Sequence, residues 1–237
     1  MGRGEISSGR HSKRHPLDWY VDPIWCARQL AAALGGFAEE KRQGLAIWDP
    51  SCGMGNTLQA AWELGLEVIG SDLVDNFDWA TFDACPELKR PVWFRADFLE
   101  RKHSPGPCSV VFNPPYSYQK DIAERFARHA LTLSDKHVCM LMPNKWLVSQ
   151  ARYRLFTEHP PLAILYLCQR PSMPPGDLIG AMGNRAFSGG MIDYCWIVWD
   201  VTRPTARGET RSIWLPPLAQ NCEIQPLINP EKETCGA

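Results

Sequence analysis

The sequence has no Cys-x-x-Cys pair, almost no net charge and no run of about 18 apolar residues such as a membrane-crossing helix needs. Each absence excludes a class of function. The nine cysteines, at 26, 52, 85, 108, 139, 168, 195, 222 and 235, are odd in number and scattered. That spacing suits neither a disulfide framework nor a zinc site. Several stand in apolar runs, Cys139 in VCMLM and Cys168 in LYLCQ, so reduced, buried thiols are expected, and no metal. The opening stretch MGRGEISSGRHSKRH lacks the apolar core of a signal peptide, so a cytoplasmic location is expected and no membrane partner. With a net charge of −1 there is no overall attraction to nucleic acid, and any basic surface must be local.

What remains is an ordinary globular composition, 45% hydrophobic and 22% charged over 237 residues, long enough for one sizeable α/β domain. Residues 1–15 carry Arg3, Arg10, Lys13 and Arg14 against Glu5 and read as a flexible basic tail; residues 16–237 read as a single domain. Asp22 can cap a helix, Pro23 suits its first turn, IWCARQLAAAL supplies the apolar face and Gly35-Gly36 ends it. Strands are expected at 45–50, 67–73, 92–98, 109–116, 137–144, 161–170 and 194–200, and further helices at 56–65, 120–133 and 149–159. Strands separated by helices imply parallel pairing with right-handed crossovers: a Rossmann-like α/β fold, its sheet covered on both faces. The Gly/Pro-rich stretch 171–192 is too long for an ordinary connection and is expected to be a loop on the substrate side. Residues 201–237, with WLPPL among scattered prolines, read as an irregular wrap.

In such a sheet, ligands bind beyond the carboxyl ends of the strands. The first strand ends in Asp49-Pro50-Ser51-Cys52-Gly53-Met54-Gly55, a glycine loop that lets backbone approach a ligand; its Asp49 disfavours a phosphate and suits an ammonium group. The second ends in Asp72, placed to accept ribose hydroxyls. The third ends in Asp97-Phe98, a carboxylate for an exocyclic amine beside a ring for a purine. An ammonium, a ribose and an adenine together describe S-adenosylmethionine (SAM).

The fourth strand runs into Asn113-Pro114-Pro115-Tyr116. Prolines end a strand because they cannot donate to the ladder. The Asn113 side-chain oxygen and the carbonyl after it are two acceptors suited to the two donors of a planar –NH2 group. Drawing that amine toward tetrahedral geometry frees its lone pair for attack on a sulfonium methyl. Tyr116 offers a flat face on which an extruded base can stack, worth ~1–3 kcal/mol.

The series DWYVDP, DPSCGMGNT, GSDL, RADF, NPPY and MPNKWL resembles the class I methyltransferases that modify exocyclic amines, above all the DNA N6-adenine methyltransferases in their gamma order, over about residues 17–200. The resemblance implies a seven-stranded sheet whose last strand is antiparallel. It implies cofactor contacts at Tyr20, Pro23, Asp49, Pro50, Cys52, Gly53, Gly55, Asp72, Leu73, Asp97, Phe98 and Asn113, and catalysis by Asn113, Pro114, Pro115 and Tyr116. Two departures stand out: Asp22 where the family often has Thr, and no room for a large target-recognition domain. The segment QRPSM before a glycine-rich loop is similar to compact phage and prophage methyltransferases, with Met173 where an aromatic often holds the flipped base.

Substrate contacts are therefore expected from Tyr116, Lys145, Arg170 and Met173, with Lys145, directly after the fifth strand, the best phosphate contact. The function expected is methylation of adenine N6 in double-stranded DNA with base flipping. The same chemistry on an RNA base amine or a protein glutamine is an alternative, and a non-catalytic binding module is a further one.

Overall fold

The computed structural model describes residues 15–116, 119–218 and 226; apart from His15, the expected basic tail lies outside the described residues. Eight strands form one sheet: β1 (Ala46–Asp49), β2 (Val68–Asp72), β3 (Val92–Arg95), β4 (Cys108–Phe112), β5 (His137–Pro143), β6 (Ala163–Leu167), β7 (Tyr194–Asp200) and β8 (Arg211–Leu215). Their order is β3-β2-β1-β4-β5-β7-β6-β8. Every pairing is parallel except those of β7, which runs antiparallel to both β5 and β6. Around the sheet lie α1 (Ile24–Ala33), α2 (Ala38–Gln43), α3 (Asn56–Trp62), α4 (Trp79–Asp83), α5 (Ile122–Leu133), α6 (Gln150–Glu158) and α7 (Ile179–Met182).

The central strands β1, β4, β5 and β7 are buried along their whole length, as continuous apolar runs covered on both faces require. Successive side chains point to opposite faces. Ile47, Val111, Cys139, Leu141, Trp196 and Val198 pack with Leu30 of α1 and Leu58 of α3. Trp48, Val110, Phe112, Met140, Ile197 and Trp199 pack with Phe126 of α5 and Leu155 of α6 on the other side.

The expected α/β architecture is present, with β7 antiparallel, but the sheet has one strand more than the seven expected. β8 falls in the stretch read as an irregular wrap, where it pairs in parallel with β6. Only Leu215 of Arg-Ser-Ile-Trp-Leu is buried, so this edge strand carries no apolar run to announce it. Asp22 makes no cap: Pro23 is the N-cap of α1, with no side-chain capping bond. Cys26, Cys52, Cys108, Cys139 and Cys195 are free and buried, but Cys168, expected inside a strand, lies past the end of β6 and is exposed. Burial pushes the thiols of Cys108 and Cys195 up to about 12, which keeps them protonated and unreactive.

At the amino ends of the strands the buried charges are paired. Lys136 Nζ donates to Glu39 (2.6 Å), Asp200 (2.8 Å) and Thr202 (3.0 Å), and Arg203 reaches the same two carboxylates. Beside them Glu40 accepts from Ser109 Oγ (2.7 Å) and meets His137 Nδ1 (2.6 Å). Burial alone would raise the pKa of Asp200, but the bonds from Lys136 and Thr202 bring it down from 3.8 to about 2. A carboxylate more acidic in the folded than in the unfolded chain stabilises the fold above its unfolded pKa. It loses that contribution as pH falls through the folded one. Lys136→Met, which removes the buried cation and leaves Glu39 and Asp200 to the half-exposed Arg203, should cost about 3 kcal/mol in urea unfolding at neutral pH. The cost of Asp200→Asn should be full above pH 3.8 and fade as the pH approaches about 2.

Candidate active site

β1 and β4 are neighbours in register Trp48↔Val110, so the residues after them leave the same edge of the sheet side by side. Ser51 Oγ donates to the Asn113 carbonyl at 3.1 Å, joining the two strand ends. The turn after β1 is fixed by carboxylates: Ser51 N donates to Asp49 Oδ1 (3.0 Å), and Gly53 N to Asp72 Oδ2 (2.9 Å). Two glycines are obligatory there. Gly53 has φ +49 and abuts Trp19, while Gly55 has φ +93 and a Cβ on it would lie 2.8 Å from Phe77. This turn floors a cavity of about 350 Å³.

Of the residues expected to hold a cofactor, Tyr20, Asp49, Pro50, Cys52, Gly53, Asp72, Leu73, Asp97, Phe98 and Asn113 line this cavity, as do Pro114, Pro115 and Tyr116. Pro23 and Gly55 do not; they begin α1 and α3. Phe98 is 2% exposed, its ring locked edge-on to Trp48 at 5.4 Å and against Phe126 at 4.9 Å. It packs in the core while bordering the cavity, and Leu73, 40% exposed, is a freer apolar side chain on the same wall. Asp97 Oδ1 caps the short helical turn Phe98–Glu100 by accepting from Leu99 N at 2.9 Å, and its residue still borders the cavity.

Sequence reasoning read Asp22 only as a cap, yet it is 5% exposed and borders the cavity. Its Oδ1 accepts from Asn113 Nδ2 at 3.3 Å and its Oδ2 from Thr57 Oγ1 at 3.2 Å. The Tyr116 hydroxyl donates to Asn113 Oδ1. Burial raises the pKa of Asp22, Asp49 and Asp72, Asp49 well above the ordinary value, with Asp22 and Asp72 adding repulsion to it; no cation opposes the shift at any of the three. Clustered buried carboxylates of this kind favour a cation between them.

Tyr116 also lines a second cavity of about 260 Å³, with Met142, Pro143, Lys145, Trp146, Arg152, Ile192 and Tyr194. Lys145 is therefore beside Tyr116 as expected of a substrate contact, while Arg170 and Met173 border neither cavity. Arg170 is paired with Asp193 at 2.7 Å, and Met173 packs against the core. Trp146, which MPNKWL left readable as core, and Arg152, one of several basic residues in its stretch, meet here, the guanidinium 4.9 Å from the indole.

No protein-family model and no curated protein matches the chain. Among solved structures, a Pyrococcus horikoshii protein assigned as an RNA methyltransferase is 18% identical over 82% of this chain and 92% of its own, with a TM-score of 0.56. The 23S rRNA methyltransferase ErmE is 16% identical over 80% of this chain and 72% of its own, with a TM-score of 0.51. The fold is a methyltransferase fold. Within it the two cavities occupy the carboxyl edge of the sheet, where α/β proteins bind ligands.

Because Asp49 is more basic in the folded chain than in the unfolded one, it costs the empty protein stability as pH rises above 3.8. Asp49→Asn should therefore raise the melting temperature of the ligand-free protein, by a margin that widens as pH rises from 3.8 and levels off above the folded pKa.

Proposed function

We propose that the protein is a SAM-dependent methyltransferase acting on a planar exocyclic amine, adenine N6 in DNA. The observation that carries this reading is the Tyr116 wall shared by two cavities, with Asn113 at its foot. One cavity is lined by carboxylates and Gly53 and suits a cationic nucleoside. The other is lined by Tyr116, Trp146 and Tyr194 with Lys145 and Arg152 at hand, and suits a flat base with its phosphates nearby.

In the first cavity Asp49 would hold the ammonium, Asp72 the ribose hydroxyls and Leu73 a face of the adenine. When bound, SAM supplies a methyl group on a cationic sulfur. Asn113 Oδ1 and the Pro114 carbonyl would accept the two N–H groups of the incoming amine, which takes the place of the Tyr116 hydroxyl on Asn113. Held so, the amine nitrogen would keep its lone pair toward the methyl group that SAM would supply, and the proton it sheds would leave to water. Lys145 and Arg152 serve as phosphate contacts, in place of the paired Arg170. Trp146 and Tyr194 stand where the base would lie, a role Met173 does not reach.

A second reading, methylation of an RNA base by the same groups, is favoured by the names of the two structural neighbours. Labelled-methyl incorporation from SAM into unmethylated genomic DNA, bulk RNA and cell protein, run side by side, separates the readings. Counts in DNA recovered as N6-methyladenine are expected, and counts in RNA alone would move the activity to the second reading. Asn113→Ala should abolish transfer while leaving cofactor affinity nearly intact. Tyr116→Ala should lower turnover by about 10- to 100-fold, the equivalent of one stacked base, and lower cofactor affinity less.

A further inference from the structure

We infer that Asp22 is a positioning residue for methyl transfer: its carboxylate fixes which end of the Asn113 amide faces the substrate. This rests on the methyltransferase reading above and adds to it a residue outside the Asn-Pro-Pro-Tyr segment.

An asparagine amide is a nearly symmetric fork with opposite chemistry at its two tips: oxygen accepts and nitrogen donates. For an incoming –NH2 group the distinction decides everything. Oxygen toward the amine gives a hydrogen bond, whereas nitrogen toward the amine sets donor against donor. Turning the fork over changes its shape hardly at all, so packing cannot choose between the two orientations. Only hydrogen-bond partners can.

Of the two side-chain partners of Asn113, Tyr116 is indifferent, because a hydroxyl both donates and accepts. Asp22 is not. An ionised carboxylate only accepts, so the tip nearest its Oδ1, 3.3 Å away, must be Nδ2. That leaves Oδ1 on the Tyr116 side, where Tyr116 donates to it and where the two cavities adjoin.

Asp22 can hold this orientation because it is itself held. Thr57 Oγ1 occupies its other carboxylate oxygen at 3.2 Å, and Asn56 Nδ2 donates to its backbone carbonyl at 3.0 Å. Both come from the first turn of α3, which packs along α1, so that turn ties down the side chain and the backbone of Asp22 together. The side chain does not cap α1, so helix capping does not account for a carboxylate that is buried at an energetic cost.

The pairing can be read without reference to activity. In protein labelled with 15N at asparagine side chains, the NH2 correlation that disappears in Asn113→Ala belongs to Asn113. One of its protons should be shifted downfield and slow to exchange with solvent. In Asp22→Ala that proton should lose both features. The turnover number should fall about 10- to 100-fold, as loss of one charge-assisted hydrogen bond implies, with a smaller change in the Michaelis constant and in SAM affinity. Asp22→Asn, nearly isosteric and safe for the fold, offers either tip to Asn113 and should show an intermediate loss of both signals.

An Asn113 correlation unmoved by either substitution would overturn the assignment, as would a turnover number unmoved in both variants. If the protein transfers methyl groups to no substrate, the methyltransferase reading falls, while the NMR comparison still decides whether Asp22 orients Asn113.

Discussion

Everything at the site depends on the parallel pairing of β1 with β4. Ala46, Ile47 and Trp48 lie opposite Cys108, Ser109 and Val110, and continuing that register brings Ser51 level with Asn113. The bond from Ser51 to the Asn113 carbonyl is the register made visible one turn beyond the sheet. A slip of one residue would send Asp49 to the other face of the sheet, and would part the glycine turn from the Asn-Pro-Pro-Tyr segment. The long apolar runs in β1, β4, β5 and β7 are what prevent that slip, since both faces of each strand are committed to a core.

The two ends of the sheet treat buried charge in opposite ways. At the amino end, Glu39, Lys136, Asp200 and Arg203 neutralise one another, and Asp200 and the neighbouring Glu40 titrate below their usual range. At the carboxyl end Asp22, Asp49 and Asp72 sit together, no cation bonded to them among the described residues, and titrate above it. The first arrangement holds the fold together. The second costs the fold stability as those carboxyl groups ionise.

Much of this was legible in the sequence because strand ends are punctuated there. Asp49 before a glycine turn, Asp72 and Asn113 before two prolines each follow an apolar run, and each ends beside the same cavity. What could not be read was whatever depends on a partner distant in sequence. Phe98 looked like a ring beside a carboxylate until Trp48 and Phe126 closed around it. Arg170 looked like a free cation until Asp193 paired with it. Asp22 looked like a helix cap because its true partners, Thr57 and Asn113, are 35 and 91 residues away. Helices as short as α2 and α4, and an edge strand with one buried residue, leave too few turns or alternations for periodicity to show.

The backbone joins two regions that the order of the chain keeps far apart. Val21 N donates to the Pro174 carbonyl at 3.0 Å and Gly176 N to the Trp19 carbonyl at 3.1 Å, with Tyr20 and Pro175 bridged between them. Gly176 lies so close under the Trp19 indole that a Cβ would meet it at 2.1 Å. The segment that walls the larger cavity is thus laced to the first half of the long loop, and residue 176 admits no side chain. Variation in that loop is consequently not modular. A graft that includes residues 174–176 rebuilds the wall of the neighbouring cavity, and one that reaches further meets buried Ala186, Gly190 pressed against Pro171, and Ile192 of the second cavity.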